Sequence, residues 1–281
     1  MSIWTVIPTY DEAENVEAIV AAVRSALAFA APQTVRRVLI VDDNSPDGTG
    51  LIADDLARRH PDVRVLHRPG KAGIAAAYAA GMSHALDHGA TLVVQMDADF
   101  SHDPGEIPRM LGAIADGADV VLGSRYVPGA RVEGWPRSRR LISRGGGRYA
   151  SFLLGLHVND PTGGFKCFRA DALRAIGLDG LQAGGYAFQI ETTYRATRLG
   201  LRVVEVPITF RDRTRGASKM SAAIALEAAW RTPLLRFSSA GRALQRPAVA
   251  GPGAHAAVDH VPHLARSVAL HERRAGRRPL P

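Results

Sequence analysis

Short apolar runs recur along the first half of the chain, and they lack the polar alternation of half-exposed strands. Valine, isoleucine and leucine dominate these runs, which is typical of parallel strands buried on both faces of a sheet. The pattern therefore predicts strands at Ile3–Ile7, Val35–Val41, Val63–Leu66, Leu92–Met96 and Val120–Leu122.

Segments with helical periodicity separate these runs. Val16, Ile19 and Val23, for example, recur at the spacing of one helix face. Strands that alternate with helices indicate an α/β sheet, in which ligands bind beyond the carboxyl ends of the strands. The predicted helices are Glu14–Phe29, Gly48–His60, Gly73–His88 and Pro104–Ala115.

The second half of the chain is less regular. Arg139–Gly155 has a helical pattern with an expected break at the glycines 145–147. After Gly241 the composition shifts to alanine, proline, glycine and arginine. We therefore predict one domain over residues 1–240 and a disordered basic tail over 241–281. The other predicted elements are a strand at Phe165–Arg169, a helix at Phe188–Leu199, a strand at Leu201–Phe210 and an amphipathic helix at Ser221–Phe237.

Composition limits the class of protein. The chain has 281 residues, 46% of them apolar, which is enough for a hydrophobic core. Its single cysteine, Cys167, excludes an internal disulfide, fits a reducing cytosol and is expected to line the core. No apolar run reaches the roughly 20 residues that span a bilayer, and the N-terminus lacks a signal-peptide pattern. We expect a cytoplasmic protein, soluble or peripheral to the membrane.

The net charge of +8 is unevenly distributed. Residues 241–281 carry seven arginines against Asp259 and Glu272, a balance of +5, which leaves +3 for residues 1–240. Such a tail suits nucleic acid or an anionic membrane surface, and it is equally compatible with a solvated extension. The basic pI therefore says little about the folded domain.

Polar clusters follow four of the predicted strands. They occupy residues 8–15, 42–49, 97–99 and 123–126. Because the carboxyl ends of parallel strands meet at one edge of a sheet, we expect these clusters to lie together. In the third cluster, Asp97 and Asp99 are two apart at the end of an apolar run, so a strand would direct both carboxylates to one side. Such a pair suits Mg²⁺ or Mn²⁺ carrying phosphates, although by itself it is equally compatible with a solvated turn.

The sequences at the strand ends resemble family 2 glycosyltransferases of GT-A (nucleotide-diphospho-sugar transferase) fold, with a mostly parallel central sheet flanked by helices. The resemblance rests on residues 6–12, 41–49 and 97–99. Three later motifs, at 123–126, 185–191 and 213–220, are similar to those of the polyprenol-phosphate (dolichol-phosphate) mannosyltransferases. The likeness covers roughly residues 3–237.

The resemblance implies a donor site. Asp97, Ala98 and Asp99 would address the metal and the diphosphate, while Asp43 could instead cap the following helix, for which Asp47 is the better candidate. Ser101 is the third metal-ligand candidate, at a position near the metal where the sequence departs from the family pattern. The residues implied to contact the nucleoside are Pro8, Tyr10, Glu12, Val41 and Asp43, and those implied to neutralise phosphates are Arg125, Arg213 and Lys219.

The resemblance also implies an acceptor site. Arg139 and Ser143, four residues apart on a helix, would hold the phosphate of a lipid acceptor together with Arg125. The alternative is a basic helix face that only touches the membrane. Candidate lipid contacts are Phe152, Leu153, Leu154 and Leu156 and the apolar side of residues 221–237.

The implied reaction is inverting, metal-assisted transfer of mannose from GDP-mannose to a polyprenyl monophosphate. The enzyme would act as a peripheral protein on the cytoplasmic face of the membrane, with or without a membrane-anchored partner protein. Two alternatives stay open: another donor such as UDP-glucose on the same fold, and a non-catalytic basic protein that binds nucleotides or nucleic acid. The absence of interleaved basic and aromatic residues argues against nucleic acid as a partner.

Overall fold

The computed structural model describes residues 1–181 and 185–212. Within them the chain alternates strands and helices. The strands are β1 (Ser2–Thr9), β2 (Val35–Asp42), β3 (Val63–His67), β4 (Leu92–Gln95), β5 (Val120–Ser124), β6 (Arg131–Glu133), β7 (Lys166–Arg169), β8 (Val203–Pro207) and β9 (Thr209–Arg211). The helices are α1 (Val16–Ala30), α2 (Thr49–Arg59), α3 (Ile74–Asp87), α4 (Ile107–Ala115), α5 (Arg137–Leu154), α6 (Ala170–Ile176) and α7 (Gly185–Arg198).

Seven strands form one sheet in the order β3-β2-β1-β4-β7-β5-β8. All its pairings are parallel except those of β7, which runs antiparallel to both β4 and β5. Because β7 is reversed, β4 and β5 run in the same direction and end at the same edge as β1 and β2. We call this edge the carboxyl edge. The predicted α/β architecture with a mostly parallel sheet is confirmed.

Helices cover both faces of the sheet. Alternate residues of β1 enter opposite cores: Ile3 and Ile7 pack in the core that α1 and α4 close, and Trp4 and Val6 pack in the core that α3 closes. All four side chains are buried. Burial on both faces explains why the strand sequences show no polar alternation.

The predicted strand Leu201–Phe210 is in fact two strands in two sheets. Ile208 interrupts it, since its N–H donates to the carbonyl of Ser124 and its carbonyl accepts from the N–H of Arg131. The chain thus leaves the large sheet after β8 and joins the short, polar strand β6 as β9. Strand β6 was not predicted because Arg131–Glu133 offers one apolar residue.

The glycines at 145–147 do not break α5, which is continuous from Arg137 to Leu154. The predicted break is wrong because the buried face of α5 holds the helix in place: Gly147, Ala150, Ser151 and Leu154 are buried. A Cβ atom at Gly147 would lie 3.6 Å from the carbonyl oxygen of Asn159, an ordinary contact. Tertiary packing here outweighs the low helix propensity of glycine.

Replacing Gly145 or Gly146 by alanine should stabilise the protein. A Cβ atom added at either position would meet no atom within 4 Å, so the substitution removes unfolded-state entropy without a clash. We expect the free energy of unfolding to rise by about 0.5–1 kcal/mol per site in urea titrations. Gly81→Ala is the matched control, because its Cβ would lie 2.5 Å from Val6 Cγ1 and must destabilise α3. A loss of stability at 145 or 146 would contradict the proposed geometry of α5.

Candidate functional site

The loops at the carboxyl edge concentrate unusual backbone geometry. Among the described residues, the non-glycine positions with positive φ are Asp11, Asn44 and Phe100, at 55°, 58° and 58°. They follow β1, β2 and β4 respectively. An aromatic residue in the left-handed region is a true outlier, and such strain is characteristic of functional sites. The unusual backbone conformations therefore lie at the same edge of the sheet as the polar clusters.

Asp43 is held by a buried ion pair at the end of β2. Arg68 Nη1 donates to Asp43 Oδ1 at 2.6 Å, and both side chains are largely buried. The backbone N–H of Asp43 bonds to the carbonyl of Thr9, which ties the β2 loop to the β1 loop. Asp43 does not cap α2, whose N-cap is Gly48, and its role in donor binding stays a prediction. Sequence reasoning missed Arg68, whose position after a short edge strand gave no signal.

Gly48, with φ at 89°, is the N-cap of α2. Asp47, one residue earlier, accepts from the N–H and hydroxyl of Thr49 and from the N–H of Ala13. Although partial burial opposes it, these hydrogen bonds lower the pKa of the Asp47 carboxyl. The prediction that Asp47 caps α2 is therefore wrong by one residue, because Gly48 is the cap. The Asp47 carboxylate still accepts two hydrogen bonds from Thr49, the first residue of the helix.

The remaining nucleoside candidates lie on the same edge. Pro8 and Val41 are register partners in β1 and β2. The Lys71 ammonium lies 4.0 Å from the centroid of the Tyr10 ring, within cation–π range. Glu12 accepts from the side-chain amide of Asn15 and donates its N–H to Thr49 Oγ1. The fold brings this group together, although its role in binding stays a prediction.

Asp97 and Asp99 lie beyond β4, which ends at Gln95. The expectation that strand geometry orients them is therefore wrong: they occupy a turn that Phe100 closes in the left-handed region. Asp99 Oδ1 accepts the N–H of Ser101 at 3.0 Å. Ala98, Asp99 and Ser101 are buried, whereas the Asp97 side chain is 30% exposed. Asp97 is thus the more accessible of the two carboxylates.

Two buried side chains that sequence reasoning missed contact Asp97. Tyr78 Oη donates to Asp97 Oδ1 at 2.6 Å, and the backbone N–H of Asp97 points to His102 Nδ1 at 3.4 Å. Burial raises the pKa of the Tyr78 hydroxyl well above its usual value, so Tyr78 keeps its proton and donates. Burial lowers the pKa of His102, whose ring packs on Phe165 and Phe210.

Arg125 lies at the end of β5 in a buried ion pair. Its Nε and Nη2 donate to the two carboxylate oxygens of Asp160 at 2.7 Å each, and Nη2 also donates to Thr162 Oγ1. Burial acts to raise the pKa of Asp160, but the adjacent guanidinium outweighs it and lowers that pKa. Asp160 thus neutralises Arg125, so a phosphate at this arginine would meet a paired cation.

Arg139 and Ser143 lie one turn apart on α5, as predicted, and each has a partner from another element. Arg139 Nη1 contacts the Asp212 carboxylate at 3.2 Å and its guanidinium lies 4.2 Å from the Trp135 ring. Ser143 Oγ accepts from Tyr126 Oη at 2.7 Å. Arg125 also lies 5.7 Å from the Trp135 ring. The three acceptor candidates therefore meet around Trp135 and Tyr126.

A sequence model of a known family agrees with this arrangement. The model for glycosyl transferase family 2 matches residues 4–177, more than half of the chain. The chain belongs to glycosyl transferase family 2. The non-catalytic alternative is thereby overturned, and the protein is a glycosyltransferase.

This glycosyltransferase is similar to three enzymes whose names refer to mannose and to a polyprenyl or dolichyl lipid. It is 48% identical over 228 residues to the undecaprenyl-phosphate mannosyltransferase of Micrococcus luteus, covering 81% of this chain and 91% of that one. It is 48% identical over 217 residues to the polyprenol monophosphomannose synthase of Mycolicibacterium smegmatis, covering 77% and 80%. It is 36% identical to the dolichol-phosphate mannosyltransferase of Pyrococcus furiosus, covering 78% of this chain and 59% of that one.

Solved structures confirm the fold. Glucosyl-3-phosphoglycerate synthase from Mycobacterium tuberculosis, in complex with phosphoglyceric acid, matches with a TM-score of 0.60 at 21% identity, covering 84% of this chain and 79% of that one. The same synthase with Mn²⁺, UDP and glucosyl-3-phosphoglycerate matches with a TM-score of 0.61 at 19% identity, covering 85% and 80%. At this identity the likeness establishes the GT-A fold predicted from the sequence.

The donor set of this glycosyltransferase fits a divalent metal only in part. Within residues 1–181 and 185–212, no group of three or more His, Cys, Asp or Glu side chains comes together at metal-binding distance. Asp97 and Asp99 offer hard oxygen ligands, which suit Mg²⁺ or Mn²⁺ if phosphate oxygens and water complete the coordination. The metal role of Ser101 stays a prediction. Arg213, Lys219 and the 221–237 helix lie outside the described residues.

The outer surface of α5 carries an apolar stripe, formed by Leu141, Ile142, Tyr149 and Phe152. All four are exposed, Phe152 at 88%. At 3.6 residues per turn they fall within about 100° of arc, opposite the buried face of the helix. Leu154 and Leu156, by contrast, are buried in a core cluster with Ile190 and Tyr194, so they are not available as membrane contacts. In the part of the chain that the structure describes, no helix is long and apolar enough to cross a bilayer.

A buried lysine joins the sheet to α7. Lys166 in β7 is fully buried, and its ammonium donates to the Gln189 carbonyl and to the hydroxyls of Thr192 and Thr193. Burial lowers its pKa from 10.5 to about 7, although the charge of Asp160 opposes the shift. Its neighbour Cys167 is buried as expected, and burial raises the pKa of that thiol to about 12.

Lys166 makes stability depend on pH. The unfolded chain holds the Lys166 proton up to about pH 10.5, whereas the folded chain releases it above about pH 7. Between these two values, Lys166 therefore increases the free energy of unfolding as the pH rises. Relative to Lys166→Met, the wild-type protein should gain at most about 1.4 kcal/mol per pH unit. Urea titrations at three pH values from 7 to 9 measure the difference. A difference in unfolding free energy that does not change with pH would contradict the lowered pKa of Lys166. Lys71→Met is the control for the loss of an exposed lysine.

Proposed function

We propose that this glycosyltransferase transfers mannose from GDP-mannose to a polyprenyl monophosphate and yields polyprenyl-phosphate β-mannose. The observation that carries the proposal is the 48% identity to two bacterial enzymes named for mannosyl transfer to undecaprenyl phosphate and for polyprenol monophosphomannose synthesis. The geometry supports it, because donor candidates follow β1, β2 and β4 while acceptor candidates meet around Trp135. The UDP-glucose of the structural neighbours carries less weight at about 20% identity.

Asp97 and Asp99 would hold a divalent cation, Mg²⁺ or Mn²⁺, together with the donor diphosphate. The cation, when bound, neutralises the charge that develops on the departing GDP. Structural neighbours of this fold were solved with Mn²⁺ and nucleotide, which is consistent with such a site. Asp43, held by Arg68, would accept hydrogen bonds from the nucleobase.

The acceptor phosphate would bind between Arg139 and Ser143, with Arg125 behind them. A phosphate monoester is largely dianionic at neutral pH because its second pKa is about 6, so no general base is needed. A phosphate oxygen attacks C1 of mannose, and the C1–O bond to GDP breaks with its electron pair going to the diphosphate. In-line displacement converts the α-linked donor into a β-linked product. The protein's contribution is to hold two anions together that otherwise repel.

The lipid tail of the acceptor must stay in the bilayer, so the enzyme would act at the cytoplasmic membrane surface. The apolar stripe on α5 suits this role because exposed arginines, Arg144 and Arg148 among them, flank it on the same helix. Apolar side chains beside cations are characteristic of helices that lie in the interface of anionic membranes. The basic tail, residues 241–281, lies outside the described residues. Its binding to the membrane and the existence of a membrane-anchored partner protein stay proposals.

A donor screen tests the reaction. Wild-type protein with decaprenyl phosphate and Mn²⁺ should transfer mannose from GDP-mannose, and it should lose the activity in EDTA. Asp99→Asn should reduce kcat at least about 100-fold, since it removes an anionic ligand from the proposed cation site. The exposed Asp171→Asn serves as a control for the same substitution. A preference for UDP-glucose would contradict GDP-mannose as the donor. Full activity of Asp99→Asn would contradict the proposed role of Asp99 as a cation ligand.

A crossed experiment separates headgroup recognition from membrane binding. Arg139→Ala should raise KM about 10-fold or more for both a short water-soluble prenyl phosphate and a vesicle-embedded polyprenyl phosphate, because it loses a charged phosphate contact. Phe152→Ser should raise KM for the vesicle-embedded acceptor alone. Arg174→Ala, on α6, is the control for loss of an exposed arginine. Equal effects of Phe152→Ser on both acceptors would exclude the membrane role of α5.

A further inference from the structure

Tyr78 lies behind the carboxylate that faces the proposed metal site. It is fully buried on the face of α3 that packs on the sheet, and its ring is part of the core there. Its hydroxyl reaches out of this core to Asp97 Oδ1 at 2.6 Å. A tyrosine buried this deeply requires a hydrogen-bond partner for its hydroxyl, and the partner here is one of the two acidic residues of the site.

The contact from Tyr78 contributes to the orientation of the Asp97 carboxylate. It lies in a turn beyond β4 and not in the strand itself, so the sheet does not fix its side chain. Its Oδ2 lies 3.9 Å from His102 Nδ1, too far for a hydrogen bond. The bond from Tyr78 is short, and its acceptor is an oxygen of the Asp97 carboxyl group. It leaves Oδ2 as the carboxylate oxygen that Tyr78 does not engage.

The position of Tyr78 is itself fixed from a second element. Phe188 of α7 is buried, and its ring lies parallel to that of Tyr78, with centroids 6.2 Å apart and planes inclined by 7°. The next residue, Gln189, accepts from Gln95 Nε2 at 2.9 Å. Gln95 is the last residue of β4. Helix α7 therefore holds both the end of β4 and the tyrosine that contacts Asp97.

We propose that Tyr78 is a positioning residue that orients the Asp97 carboxylate toward a divalent cation, with Phe188 holding the tyrosine ring in place. The inference rests on the proposed metal-assisted function, and it assigns a role to a buried residue to which that function gave none. Groups that orient a metal ligand typically contribute 10- to 100-fold to metal affinity or activity. Removal of the hydroxyl alone should therefore weaken cation binding.

Tyr78→Phe tests the role because it deletes the hydroxyl and keeps the ring. Electron paramagnetic resonance titration of Mn²⁺ into protein saturated with GDP should give a dissociation constant at least about 10-fold above the wild type. GDP binding in EDTA, followed by calorimetry, should not change. In turnover, the Mn²⁺ concentration for half-maximal rate should rise more than kcat falls. Tyr194→Phe, a buried tyrosine in the separate core cluster beside α5, is the matched control.

A second measurement uses the wild-type protein and so does not depend on the folding of a variant. With its six tyrosine rings labelled with ¹³C, the Tyr78 resonance should shift on titration with Mg²⁺ and GDP, and through-space contacts with the Phe188 ring identify that resonance. Wild-type Mn²⁺ affinity in Tyr78→Phe, or no Tyr78 shift, would overturn the inference and leave the function standing. Mannosyl transfer by the wild type that needs no cation would overturn both the inference and the metal-assisted mechanism.

Discussion

Both faces of the central sheet are buried, and this burial governs where the polar side chains of the protein lie. With α1 and α4 on one face and α3 on the other, strand residues such as Ile3 and Trp4 are both inside. Burying a polar side chain along such strands is costly unless it finds a partner, so the polar clusters collect where the strands end. The reversed strand β7 preserves this geometry, because it lets β4 and β5 end at the same edge although they are not adjacent.

Buried polar side chains with hydrogen-bond partners connect the elements in the second half of the domain. Arg125 pairs with Asp160, whose N–H in turn donates to Glu205, and Lys166 donates to three oxygens of α7. Such groups contribute little net stability compared with apolar residues, but removing one partner leaves an uncompensated charge and is costly. Their effect is to fix where α7 and the Trp135 region lie relative to β4 and β5. The donor and acceptor candidates consequently meet at one edge although they come from distant parts of the chain.

The structure also changes how individual side chains of the site are understood. Arg125 is a paired cation among aromatic rings, and Arg139 is shared between Asp212 and Trp135. A lipid phosphate that reaches Arg139 competes with a carboxylate already in contact with it. In the proposed function, binding of the acceptor phosphate would therefore exchange one anion for another at Arg139. The exposed stripe lies on the same helix as Arg139, so the proposed headgroup and lipid contacts would share one element.

Apolar runs and strand-end polarity are local properties of the chain, so the sequence alone predicts the strands of the first half, their parallel arrangement and the positions of the polar clusters. Family motifs added the GT-A fold and the candidate residues from Pro8 to Ser143. Packing against distant segments controls three further features, which therefore emerge only in the folded protein: α5 continues through three glycines, residues 201–210 contribute to two sheets, and Leu154 lies in the core. The same holds for Arg68, Tyr78, His102 and Asp160: each acts through a partner between 5 and 35 residues away, and no local pattern signals such a pairing.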